Sequence, residues 1–130
     1  LDVHEVATVQ LVLVSTLEDV CCSDAVARDY VYVDWGTPFS ILHANAFPDL
    51  PTPVLRADAG RLARLFVLGR GGSAYLAHVA VADDLASGRL HLVEDAPTFD
   101  RLAYAVYTSK SHRIDAVQQA SAVLRESSAR

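Results

Sequence analysis

The chain has 130 residues, 52% of them hydrophobic and 21% charged, with a net charge of −5. That length suits one domain with a real core, and the composition is neither disordered nor fibrous. A pI near 5.4 argues against a surface that neutralises phosphates, no apolar run approaches the roughly 20 residues of a membrane span, and no basic leader with an apolar core opens the chain.

The sequence begins at Leu1 and reaches an apolar strand within a few residues, as expected of a chain that starts inside a larger fold. Val9 to Val14 (VQLVLV) predicts a strand covered on both faces. Residues 15–29 are polar and mixed, and predict a loop with at most one short helical turn. They hold the only cysteines, Cys21 and Cys22. Adjacent cysteines bridge only with unusual geometry and no C-x-x-C exists, so two reduced thiols of a cytosolic protein are expected.

Tyr30 to Trp35 (YVYVDW) alternates and predicts a strand. Gly36 turns the chain. Thr37 is the expected N-cap of a helix with Pro38 at its first position, and Phe39, Leu42 and Ala46 are its expected inward residues. Pro48, Pro51 and Pro53 stop that helix. Val54 to Ala57 predicts a short strand. Asp58 is the expected cap of a helix to Leu68 with Leu62, Leu65 and Phe66 buried and Gly69 ending it. A strand follows at Ser73–Ala77, a helix at Val79–Ser87 closed by Gly88, and a strand at Leu90–Glu94. A loop at 96–99 leads to a strand at Leu102–Thr108, and Ser111 caps a last helix to about residue 126. The alternation of helix, glycine and strand indicates an α/β fold, whose ligands bind beyond strand ends where helix N-termini point.

Candidate chemistry concentrates at such ends. Asp34, Trp35, Gly36 and Thr37 lie where a strand hands over to a helix, with amides, a hydroxyl and an indole suited to a small anionic ligand. Gly72 and Ser73, after Gly71, offer a close backbone approach; the run fits neither a Walker loop nor G-x-G-x-x-G. Among Arg56, Arg61, Arg64 and Arg70, Arg56 near a strand end is the candidate for an anion, and the others read as a solvated face. The five histidines show no metal spacing, so no cofactor or metal is expected, and His43 reads as a helix-surface or half-buried residue. Ser73, Asp34 and His43 form a triad only on paper, with no G-x-S-x-G around them.

Taken together, LVLV (11–14), YVYVDWG (30–36), LGRGGSAYL (68–76), DDLASGRLHLV (83–93) and LAYAVYT (102–108) resemble the effector-binding domain of LysR-type transcriptional regulators over about residues 5–126. The VDWG…F…H pattern (Val33 to Gly36, Phe39, His43) with GGSAYL is similar to the subgroup containing the repressor of the flagellar master operon. The resemblance implies a periplasmic-binding-protein-like lobe, with a mixed, mostly parallel sheet flanked by helices. It implies residues 1–95 as the second lobe, and residues 96–130 as a return strand and helix belonging to the first. It also implies a small effector in an inter-lobe cleft, lined here by Asp34, Trp35, Gly36, Thr37, Arg56, Gly72 and Ser73. A cytoplasmic homo-oligomer without enzymatic turnover follows from it, touching DNA only through a domain outside this chain. The sequence departs from the family where a strand that usually ends in Leu-Pro ends in Leu76-Ala77. The return segment 101–126 is expected to lack a partner inside the chain, and so to pack against another copy, exchange between copies or be poorly ordered. A fragment of a solute-binding protein and a small hydrolase are the alternatives.

Overall fold

The computed structural model describes residues 3–107. In chain order these form β1 (Val3–Ser15), α1 (Cys22–Ala27), β2 (Tyr30–Val33), α2 (Thr37–Ala46), β3 (Leu55–Ala57), α3 (Gly60–Arg70), β4 (Ser73–Ala77), α4 (His78–Ser87), β5 (His91–Leu92) and β6 (Phe99–Tyr107). The strands make one mixed sheet in the order β3-β2-β4-β1-β5, with β6 also on β1.

The α/β sheet flanked by helices is as expected; the mostly parallel arrangement is not. β2 runs parallel to β3 and β4, but β1 runs antiparallel to β4, β5 and β6, so two of the five described pairings are parallel. The cause is the length of β1. Its second half pairs with β4 from Leu11 to Ser15, and its first half pairs with β6 from Val3 to Leu11. The expected strand of six residues therefore becomes 13, because the return strand supplies backbone partners for residues 3–8. Residues 101–107 thus have an in-chain partner, contrary to expectation. The helix expected after Ser111 lies outside the described residues.

The run Leu11–Val14 is covered on both faces. Val12 and Val14 join Val31, Val33, Ala74 and Leu76 under α3 and α4. Leu11 and Leu13 join Tyr30, Tyr75 and Phe99 under α1 and α2. Period-two alternation divides one apolar run between two cores.

Two helices differ from expectation. In α2, Gly36 is the N-cap at φ 101°, a conformation that favours glycine, and Thr37 is already helical with no side-chain cap bond. Phe39 is buried, but Leu42 is 48% exposed and Ala46 is also exposed. His43, one turn after Phe39, takes the inward place. In α3, the expected buried leucines Leu62 and Leu65 are more than half exposed, while Ala63 and Val67 are sealed. Small and β-branched residues let this helix lie close on the valines of β2. Its N-cap is Ala59, not Asp58, and it ends at Gly71, not Gly69. In α4, Gly88 adopts the left-handed closing conformation as expected.

Two buried polar groups tie the layers together. The His43 Nε2 and the Tyr30 hydroxyl share a 2.8 Å hydrogen bond inside the α2 core, and burial lowers the imidazole pKa to about 4. The Asp84 carboxylate of α4 is 1% exposed. It accepts from Arg64 Nε at 2.7 Å and Nη2 at 2.9 Å, and from Arg89 Nε at 3.0 Å. These hydrogen bonds hold its pKa below the ordinary carboxylate value. Its backbone carbonyl also accepts the amides of Arg89 and Leu90, so one residue fixes α3, α4 and the turn into β5. Arg64 therefore belongs to the interior network, not to a solvated face.

Two stability measurements follow from these groups. Truncation in Asp84→Ala will cost about 1.5–3 kcal/mol in chemical denaturation, the loss of hydrogen bonds to charged partners. The His43 contribution has the opposite charge logic. The unfolded imidazole takes a proton below about pH 6.5 and the folded one only near 4, so stability is full above that window and falls through it by about 3 kcal/mol. Denaturation midpoints of His43→Gln should show no such slope between pH 6.5 and 4.

Candidate functional site

Because β2, β3 and β4 are mutually parallel, their C-terminal ends share one edge of the sheet. Each leads into a helix that starts there: α2 after Gly36, α3 after Ala59, α4 after Ala77. The β1–β6 pair leaves the sheet at the same edge, since Leu11 lies opposite both Ala77 and Phe99.

Trp35 occupies the middle of this edge. Its indole N–H donates to the Tyr75 carbonyl at 3.0 Å. The Arg101 guanidinium stands over the ring, 5.7 Å from its centroid, and donates to the Trp35 carbonyl at 3.1 Å. Gly60 lets the ring lie against the first turn of α3, for a Cβ there would stand 2.5 Å from the indole. The half-exposed indole becomes one wall of a cleft of about 230 Å³ between α3 and α4. Leu76, Ala77, Ala80 and Val81 make it apolar, and Arg61 and Arg64 stand on its α3 side. Arg64 is committed to Asp84. Arg61 is exposed and free of an ion pair among the described residues.

The other sequence-predicted residues divide. Asp34, Gly36, Thr37 and Arg56 share this edge with Trp35. Asp34 and Arg56 line a shallow groove with Tyr32 and Asp58, where the Arg56 guanidinium lies over the Tyr32 ring at 5.2 Å. The Gly36 amide, expected to face a ligand, is already taken: it donates to the Asp34 carboxylate at 2.9 Å. Pro38 has no N–H to offer, so the α2 N-terminus presents few free donors. Gly72 and Ser73 are not part of this cluster. Ser73 pairs with Tyr30, at the opposite end of the parallel strands. Arg101, Gly60 and the Arg64–Asp84 pair were not marked by the sequence. No local spacing joins Arg101 to Trp35, 66 residues apart.

Among the described residues no group of three or more His, Cys, Asp or Glu side chains is placed to hold a metal ion. No helix there is long and apolar enough to cross a membrane.

Solved structures place this architecture. The chain superposes on the regulatory domain of HypT from Salmonella typhimurium with a TM-score of 0.63 and 13% identity, covering 95% of this chain and 66% of that one. It matches the effector domain of AmpR from Pseudomonas aeruginosa at 0.64 and 14%, covering 99% and 67%. It matches Vibrio fischeri DarR in complex with DNA at 0.65 and 15%, covering 95% and 46%. The fold is that of a LysR-type regulatory domain. The chain spans about two thirds of the length of such domains and under half of the longer DarR chain. No protein-family model and no curated protein matches the sequence.

Replacing Gly60 by alanine will test the indole seat. Ala favours a helix interior by about 1 kcal/mol over Gly, yet here its methyl meets the ring. Gly60→Ala should gain no stability in thermal denaturation and should shift the emission of Trp35, the chain's single tryptophan.

Proposed function

We propose that this chain is the ligand-sensing part of a LysR-type transcriptional regulator, and that the cleft walled by Trp35 takes the effector. The observation that carries the reading is a partly exposed indole, anchored by Tyr75 and Arg101, beside an apolar cleft with one guanidinium, that of Arg61, in no ion pair among the described residues. A ligand suited to it is small and apolar or aromatic on one side, stacking on Trp35, with a carboxylate for Arg61. Asp34, Gly36, Thr37 and Arg56 border the same edge and would meet a larger ligand. Gly72 and Ser73 stand apart from it.

In this reading residues 1–95 form the second lobe, and 96–130 return to a first lobe that closes over the same edge. Ligand binding biases the arrangement of lobes and of subunits in a homo-oligomer, without turnover. DNA is read by a separate domain, and the protein works in the cytoplasm. The fold supports the regulatory part of this reading. The finer likeness to the flagellar-operon repressor subgroup rests on the VDWG…F…H and GGSAYL pattern alone.

Trp35 makes the test direct. Titrating a panel of small aromatic and aliphatic carboxylates should produce a saturable change in its fluorescence for at least one member. Arg61→Ala should weaken that binding about tenfold, the worth of roughly 1.4 kcal/mol. Binding undiminished by Arg61→Ala, or emission indifferent to the whole panel, refutes the cleft assignment.

A further inference from the structure

The glycine turn that the Trp35 cleft leaves aside borders a cavity of its own. At the opposite end of the parallel strands, the start of β4, the end of β1 and the flank of α1 enclose about 430 Å³. That is within the size range of small-molecule sites. The turn's three amides are all used. The amides of Gly71, Gly72 and Ser73 donate to the Val67 carbonyl, the Thr16 hydroxyl and the Asp29 carbonyl. Gly72 is glycine because a side chain there would collide with Asp29. A ligand must therefore be met by side chains.

Two hydroxyls lie at the inner end. Ser73, 2% exposed, makes no side-chain hydrogen bond among the described residues. Ser15, its cross-strand partner at 1% exposure, accepts from the Leu17 amide and keeps its own O–H. A buried hydroxyl without an acceptor is costly unless something else supplies one. Four charged groups line the same cavity: Arg28 and Arg70, with Asp24 and Asp29. Arg70 and Asp29 approach at 3.4 Å, while Arg28 and Asp24 make no ion pair among the described residues. A simple anion would meet two carboxylates as well as two guanidiniums. A molecule bearing both charges satisfies both signs and offers acceptor oxygens to the serines.

We infer that this cavity is a second binding site, for a small zwitterion of the α-amino-acid type, with its carboxylate toward Arg28 and Ser73 and its ammonium toward Asp24. It is separate from the Trp35 cleft and does not depend on the reading of that cleft.

Calorimetric titration of the intact chain with each of the twenty L-amino acids, and with acetate and ethylamine as single-charge probes, tests it. At least one amino acid should bind saturably and leave Trp35 emission unchanged, while acetate and ethylamine do not bind. Arg28→Ala and Asp24→Asn, both on the surface, should each weaken that binding about tenfold or more, and Ser73→Ala should weaken it too. Silence from all twenty amino acids overturns the inference. So does acetate binding as well as any of them, or affinity unmoved by both surface substitutions.

Discussion

One strand carries the architecture. β1 is the backbone partner of β4, β5 and β6, and its four central side chains are divided between the two cores. Removing it would leave β3, β2 and β4 as a three-stranded parallel sheet with the β4 edge newly unpaired, and parallel sheets are found almost only where both faces are covered. The short, nearly continuous run LVLV is therefore the hub on which the helices of both faces are assembled. The mixed residues that precede this run matter as well. They carry the same strand past the sheet's edge, where β6 satisfies their backbone groups.

The strand-end edge acquires chemical character from three departures from local habit. Gly36 takes a conformation that other residues resist, which lets β2 turn sharply into α2. Gly60 yields its side-chain volume to the indole of Trp35. Arg101 crosses from the return strand to the same tryptophan. None of these adds much stability alone. Together they hold an aromatic plane at a fixed tilt beside an apolar cleft, which is what selective recognition of a small molecule needs.

Much of this was legible in the residues. YVYVDW, SAYLA and the ASG close of α4 follow from alternation and turn chemistry, and their positions hold to within two residues. Trp35 as a wall, and Asp34 to Thr37 at a strand-to-helix handover, also came from the sequence. The burial of α2 and α3 did not. Hydrophobicity favoured Leu42, Leu62 and Leu65, whereas the structure buries His43 among the aromatic residues under α2 and, in α3, the small Ala63 and Val67 that let the helix lie close on the valine face of the sheet. His43 enters the core only because Tyr30, 13 positions earlier, meets its ring nitrogen. Gly72 and Ser73 were grouped with Gly36 in one cleft because a glycine turn before a strand offers close backbone approach. Separating them required knowing that β2 and β4 are parallel, so that the start of one strand cannot lie beside the end of the other.

The guanidinium of Arg101 ties the β1–β6 ribbon to the tryptophan. Swinging the two strands about Leu11 and Phe99 either drags the carbonyl and ring of Trp35 with them or breaks that grip. One exposed side chain thus joins the return strand to the strand-end edge across 66 residues of sequence, by a hydrogen bond to the backbone and a cation over the ring of the same tryptophan.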